Sequence, residues 1–589
     1  MALPKKTKQP TAITSFTNLD LSSQHVTTAD FMQLNIAKCM EVVPDQSVKI
    51  EMETFARLDP LPVPTFGRAK IHNRAYFVPF RTIWRPWNSF INDVPYIARD
   101  QYGIPPSVPT INNQAITELF RDDLFSTLSK GAYDFRYTVY GNTGNEETET
   151  AHAYRNFTSF GRYAYKIMRS LGYAPDFTNR RHYVSALPLL SFIRVYVDFF
   201  YPSQYNMNSD CAFLQELLTD DRFDSSSSMT FSFDVLKRIF IITYNITYDN
   251  DYFTSAWDYP DAPNHGLASD ITIRDIDTGT ADVSYNVEGG EYNSPTLATR
   301  SDGGGQNKIS QYALNALRSL TDYMKRNQIA GSRIIDRFFA RFGIKLVPEK
   351  LNRCVYLGEI TQDLQFGDVT SMADTEGATL GTYAGRGVSF GQGNFSYESD
   401  EYGMIIIIST IVPFVQYYQG QQRLVQHIDK LDFWTPEFDN LGTQAIGANE
   451  VYVPMDGVIP VNYSNQVFGF APRYAEYKVP YSQITGDFLL GSRNVGKDAW
   501  TLFRDITPIV DSVGIDGLVH NPDFVTSSDS AQYNRIFQIN DDSLEHIYVI
   551  HNFNISSRAP FKSLYDTYEF ESEGKADKVT IDVNGDTHN

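Results

Sequence analysis

At 589 residues, 42% of them hydrophobic, the chain is long enough to bury a large core. Its formal charge of −20 excludes a protein that wraps nucleic acid unaided, because phosphate binding needs a surplus of Lys and Arg. The charge is concentrated: residues 203–302 hold 17 acidic against 5 basic side chains and residues 566–589 hold 7 against 2, so the remainder is close to neutral.

With 37 Tyr, 40 Phe and many short Val, Ile and Thr runs broken by Pro, Gly and Asn, the chain reads as mainly β. Residues 1–30 form a polar arm carrying Lys5, Lys6 and Lys8, without the apolar stretch of a secretory signal. Apolar and polar side chains alternate from Val48 to Ala56, so a first strand is expected near here. Pro60, Pro62 and Pro64 fix φ and remove donors, which predicts an extended connector before strand character resumes at 70–79. The spacing of Trp84, Trp87, Phe90 and Ile91 predicts a short helix or turn on the sheet.

Residues 142–150 are polar and acidic, an exposed loop. Residues 184–201 read as buried, with Pro188 preceding a helix. The acidic stretch 203–302 reads as surface insertions interrupted by a strand at 239–248. Ile309, Tyr312, Ala316, Leu320 and Met324 predict an amphipathic helix over 308–326, and Ile334, Ile335, Phe338, Phe339 and Phe342 a second one stopping at Gly343. Strands are expected from there to about Ile555, including a buried one at 404–415 and one at 547–555; residues 571–589 read as an acidic mobile tail.

Chemical motifs are sparse. Gly387, Ser389 and Gly391 match the GxSxG nucleophile-elbow pattern, which needs a strand leading in and a helix leading out. The flanking Ala384, Gly385, Gln392 and Gly393 supply neither, so a Gly-rich loop is the reading. Gly303, Gly304 and Gly305 lack the ending of a phosphate-binding loop. Cys39, Cys211 and Cys354 lie far apart with no CxxC spacing, and no His pair has metal-ligand spacing; His427 and His551 read as satisfied polar residues. No catalytic, cofactor or metal residue is assigned. The basic residues of the two predicted helices read as a solvated or interface face, and Lys5, Lys6 and Lys8 are the better candidates for phosphate contact.

The run from Gly331 through Ile334, Ile335, Asp336, Phe338, Phe339 and Arg341 to Gly343 resembles the major capsid proteins of microviruses, small tailless phages with circular single-stranded DNA. Other segments agree in the same order. They are Phe55-Ala-Arg-Leu, Phe77-Val-Pro with Trp84 and Trp87, Asp251-Tyr-Phe-Thr-Ser-Ala, Tyr356-Leu-Gly, Tyr417-Tyr-Gln-Gly-Gln, Asp432-Phe-Trp-Thr-Pro-Glu-Phe, Leu441-Gly-Thr-Gln-Ala and Phe468-Gly-Phe-Ala-Pro-Arg-Tyr-Ala-Glu-Tyr. Together they span most of residues 30–505, nearest to the gokushovirus-like and Bacteroidetes-associated branches; residues 203–302 and the C-terminal tail depart from the pattern.

The resemblance implies an eight-stranded antiparallel jelly roll, a viral β-sandwich with long loop and helical insertions. Its expected layout is an arm at 1–30, one domain at 31–565 with insertions at about 130–165, 203–238 and 262–308 and a helix pair at 308–343, and an acidic tail at 566–589. It implies a non-enzymatic coat subunit self-assembling into a T=1, sixty-subunit icosahedral shell around circular single-stranded DNA, made in the host bacterial cytoplasm. Implied partners are further copies of the chain, the packaged DNA through a small basic protein, an internal scaffolding protein, a DNA pilot protein and a host-surface receptor, a glycan among the candidates. The acidic loops are expected on the exterior, since inward they would repel DNA. The competing reading is a glycan-binding or glycan-hydrolysing β-sandwich protein, equally compatible with an acidic, aromatic, loop-rich chain.

Overall fold

The computed structural model describes most of residues 16–561; the description leaves out 1–15, the stretches 126–156, 220–229, 258–270, 300–314, 345–352, 367–386, 454–465 and 514–521 among shorter ones, and nearly all of 562–589. Nine strands share one hydrogen-bonded sheet, eight of them along a single path. In chain order they are β1 (Thr17–Asp20), β2 (Ser23–Ala29), β3 (Leu34–Val42), β4 (Gln46–Leu58), β5 (Ala69–Pro79), β6 (Val355–Phe366), β7 (Gly387–Ser399), β8 (Gly403–Pro413) and β9 (Ile547–Ala559). Their spatial order is β1-β9-β4-β7-β6-β5-β8-β3, with β2 also paired to β9. Every one of these pairings is antiparallel.

β6 is the hinge of this path. It ladders with β5 from Val355 to Leu364 and meets β7 only through Gln365 and Phe366. The two halves of the path then close on one apolar cluster: Ile50, Met52, Phe395 and Ile555 from one half, Val42, Phe77, Ile405 and Ile407 from the other. This is an arrangement consistent with a β-sandwich.

Sequence periodicity explains the strands. In β4 the apolar Val48, Ile50 and Met52 are buried while Lys49, Glu51 and Glu53 face outward. β8 is buried at every position. Its Ile405 and Ile407 enter the cluster between the strands, whereas Met404, Ile406 and Ile408 enter a larger cluster on the opposite face, so a period-two strand reads as one unbroken apolar run.

That larger cluster is supplied by helices α1 (Asn113–Leu119), α2 (Ser159–Ser170), α3 (Leu187–Val195), α4 (Ser209–Thr219) and α5 (Phe233–Thr243). Asn112 caps α1, its side chain accepting from the Gln114 amide at 3.0 Å, and Thr158 caps α2, accepting from the Gly161 amide at 3.1 Å. Pro188 sits in the first turn of α3, where no amide donor is needed. A third cluster joins Tyr252, Phe253, Tyr417, Ile446, Phe468 and Phe524.

Several expectations need correction. The first strand is β1 rather than the segment at Val48: three strands precede it, and β1 and β2 place residues 17–29 of the expected arm in the main sheet. Residues 239–248 are not a strand. Leu236, Ile239, Phe240 and Thr243 recur at helical spacing and are buried along α5, so burial of that face overrides the β propensity of the Ile and Thr run. The insertion expected at 203–238 contains α4, whose Leu214, Leu217 and Leu218 belong to the core. The described residues of 414–546 form mainly short helical turns and brief strands, where strands were expected to dominate.

The second predicted helix is present as α6 (Ile334–Phe342), ending at Gly343 with φ +67. In the first, the described residues Asn315, Arg318, Ser319, Asp322, Tyr323 and Arg326 are helical. Lys5, Lys6 and Lys8, the loop at 142–150 and the glycines at 303–305 lie outside the described residues, as does most of 262–308 apart from short strands such as Ile271–Arg274, Ala281–Tyr285 and Thr296–Thr299.

Candidate assembly surface

Ser389 is the only nucleophile-like residue that the sequence singled out, and it lies inside β7 rather than on a loop. It is buried, and its Oγ donates to the Asp363 carbonyl of β6 at 2.8 Å. Gly391 and Gly393 continue the same inward face, and a Cβ at Gly393 would lie 2.5 Å from Ile360 Cγ1. Gly391 and Gly393 therefore make room for Gln362 and Ile360 of β6, and the motif does not build an elbow.

The two histidines are structural in different ways. His551 Nδ1 lies 3.0 Å from Thr54 Oγ1, and burial pushes its imidazole down to about 3, with the nearby His25 acting in the same direction. His427 packs on Phe433 at 5.4 Å and on Tyr477 at 6.0 Å, with Nε2 3.6 Å from Glu476. Among the described residues no group of His, Cys, Asp or Glu could hold a metal ion, and Cys39 and Cys354 are free.

Charge is also buried where strands meet α2. Lys166 Nζ donates to Glu545 Oε1 at 2.8 Å and to the Thr28 carbonyl at 3.2 Å. Asp30 lies beside this pair, and desolvation followed by the Glu545 charge pushes its carboxyl up to about 6, against the pull of Lys166, His546 and Arg162. Burial alone would raise the Glu545 carboxyl, but the Lys166 charge and the hydrogen bonds from Lys166 and Thr28 lower it instead. These groups tie the N-terminal strands to the helical layer.

What remains is surface. On the outer face of the strands, Val26, Ile550, Phe55 and Phe390 lie in one cross-strand row over β2, β9, β4 and β7, with Arg57 over the Phe55 ring at 5.0 Å. On α6, the aromatic stripe predicted from sequence is present, yet Phe338, Phe339 and Phe342 are exposed. The third patch is a turn displaying Leu424, Val425, Phe433 and Trp434, with Ile428 90% exposed.

This turn is firmly rooted. Arg423 Nη1 donates to the buried Glu450 at 2.8 Å and to the Ala445 carbonyl at 3.0 Å. Glu450 also accepts from the Gly447 amide at 2.9 Å and from the Tyr252 hydroxyl at 3.1 Å. Asp432 Oδ2 accepts from the Ile428 amide at 3.0 Å and the Asp429 amide at 2.8 Å, bonds that hold its carboxyl below the usual range.

A cleft of about 720 Å³ opens elsewhere, lined by Phe66, Phe366 and Phe414 and by Arg68, Lys70 and Asp363. Phe66 is 64% exposed, and Lys70 Nζ stands over the Phe414 ring at 4.8 Å. Neither patch nor cleft is readable from sequence. Residues 424–434 mix apolar, amide and charged side chains just as a partly buried connection does, and nothing local marks Ile428 as exposed.

Residues 7–116 and 158–564 match the family described as "Capsid protein (F protein)". The chain is similar to the "Capsid protein VP1" of Chlamydia phage 1, 23% identical over 550 residues that cover 84% of this chain and 88% of that protein. It is similar also to the "Capsid protein VP1" of Bdellovibrio phage phiMH2K, 23% identical over 478 residues that cover 76% of this chain and 78% of that protein.

Proposed function

The chain belongs to the capsid protein (F protein) family and is a structural, non-enzymatic microvirus major capsid protein; from that premise we propose that its copies close into a T=1, sixty-subunit icosahedral shell around circular single-stranded DNA. The observation that carries this reading is the family match along nearly the whole described chain, joined to ordered apolar surface that a single copy leaves uncovered. Many modest symmetric contacts then sum to a stable container. The relatives lend no support to a glycan-hydrolysing protein.

The finer parts of the reading follow. The nine-stranded sheet is the body of an eight-stranded jelly roll, whose closure on itself shields strand edges from misdirected pairing. One such domain carries the helical and loop insertions and an acidic tail. Lys5, Lys6 and Lys8 reach the packaged DNA, while a separate small basic protein neutralises most of its charge. A scaffolding protein and a pilot protein act during assembly in the host cytoplasm, and the acidic loops at 262–302 point outward toward a host receptor.

Negative-stain imaging and sedimentation of the purified assembly test the shell. Uniform small icosahedral particles containing nuclease-protected circular single-stranded DNA are expected. Monomers alone, with hydrolytic turnover on a glycan, would overturn it. Crosslinking DNA to protein within the particle is expected to label Lys5, Lys6 and Lys8; dominant labelling within 262–302 would place the acidic loops inside.

A further inference from the structure

We propose that the turn bearing Ile428 inserts into the cleft around Phe66 of a second copy of the chain, making a head-to-tail contact between neighbouring subunits; this rests on the shell reading and deepens it. Ile428 is almost wholly solvent-exposed, and Leu424 and Val425 beside it are exposed as well. Such a group of apolar side chains calls for a cover.

The turn is built to keep its shape while uncovered. Its base is fixed by the Arg423–Glu450 pair, its tip by the Asp432 carboxylate, and its flank by the His427, Phe433 and Tyr477 rings. A projection held this way loses little freedom on docking, which is the property that lets a few apolar side chains dominate a contact.

The cleft offers a matching receptor. Phe66, Phe366 and Phe414 set three aromatic rings into a lining that is otherwise largely polar, and about 720 Å³ is ample for an isoleucine and its neighbours. The charges are complementary. Around the turn stand Asp429, Asp432 and Glu437 with Lys430, an acidic excess, whereas Arg68 and Lys70 outnumber Asp363 in the cleft. Because turn and cleft are different patches of one chain, the contact is heterologous. Repeated around a symmetry axis it closes a ring, as an icosahedral shell requires.

Single-stranded DNA is the other occupant a cleft of cations and aromatic rings could take. The Asp363 carboxylate in the same lining and the acidic turn that the cleft would leave uncovered both favour a second copy.

The test compares particles made by the wild-type chain, Ile428→Glu, Lys70→Glu and the charge exchange Lys70→Glu with Asp429→Lys. All these side chains are exposed or at a cleft rim, so the unfolding midpoint of the unassembled subunit is expected to hold. Particle yield is expected to fall by about tenfold or more in the two single variants, and to recover in the exchange. As an independent readout, Ile428→Cys combined with Phe66→Cys is expected to give a ladder of disulfide-linked multimers in oxidised particles, and each single cysteine variant only monomers.

Normal particles from Ile428→Glu overturn the pairing and leave the shell reading intact. Disulfide dimers from Ile428→Cys alone show two turns meeting and overturn it too, as does DNA crosslinked in the cleft. If the wild type forms no particles, the shell reading itself fails and takes the pairing with it.

Discussion

His551 and Thr54 face each other across the β9–β4 pair, Nδ1 and Oγ1 3.0 Å apart, with both side chains buried. Burial is what pushes the imidazole down to about 3 from its usual 6.5. A folded value below the unfolded one means that stability is fully present above about pH 6.5 and is lost as pH falls toward 3. The shift corresponds to on the order of 5 kcal/mol at the acid end. His551→Gln is expected to flatten the fall in the urea midpoint between pH 7 and 4; an unchanged slope would assign the acid loss to other groups.

Asp30 predicts the opposite trend. Its carboxyl is pushed up to about 6, so its contribution is present below about pH 4 and is lost as pH rises through 6. Asp30→Asn keeps the shape and removes the charge. It is expected to stabilise the chain at pH 8 by roughly 3 kcal/mol and to leave stability at pH 4 nearly unchanged. Equal destabilisation at both pH values would show that the cations Lys166 and Arg162 need the Asp30 charge more than burial penalises it.

Among the described residues Arg504 is the largest fully buried side chain, with its guanidinium 4.3 Å from the Tyr248 ring centre and 4.2 Å from that of Phe524, and donating to the Phe524 carbonyl. It links the third apolar cluster to Tyr533 beside Phe31 of the helix-side cluster. Arg504→Ala is expected to cost about 3–5 kcal/mol, since it removes the packing on both rings and a buried charge-assisted hydrogen bond. Arg504→Lys is expected to recover little of it, because an ammonium offers no flat face to either ring. Full recovery by Lys in thermal unfolding would reduce the role to charge alone.

The strands were legible wherever one rule dominated. Alternation marks β4 and β9, and the unbroken apolar run of β8 marks a strand covered on both faces. α5 was illegible because Ile239, Ile241 and Ile242 favour a strand locally, while the burial of Leu236, Ile239 and Phe240 against distant segments decides for helix. α6 was predicted correctly as an element, but its stripe does not face the core of its own chain. Hydrophobic periodicity reports that a face will be covered without reporting by which molecule. The exposed Ile428 and Phe66 escaped for the same reason, since their function resides in a neighbour that a single sequence does not display.

The GxSxG match gives a last prediction that separates packing from chemistry. Gly393 faces inward beneath Ile360, which a Cβ would approach to 2.5 Å, and Ser389 donates to the Asp363 backbone. Gly393→Ala is therefore expected to destabilise the subunit by about 1–3 kcal/mol through overpacking. Ser389→Ala is expected to cost only about 1 kcal/mol, the worth of one hydrogen bond. The two positions differ further in what rescues them. Ile360→Ala removes Cγ1 and Cδ1, the two atoms nearest the added Cβ, so the Gly393→Ala, Ile360→Ala pair is expected to be more stable than the sum of its single effects, while Ile360→Ala does nothing for Ser389→Ala. Unfolding midpoints of the wild type and the five variants decide it. Strict additivity at Gly393 would mean that β7 shifts away from β6 as a whole, and that the glycines are there for strand twist rather than for room.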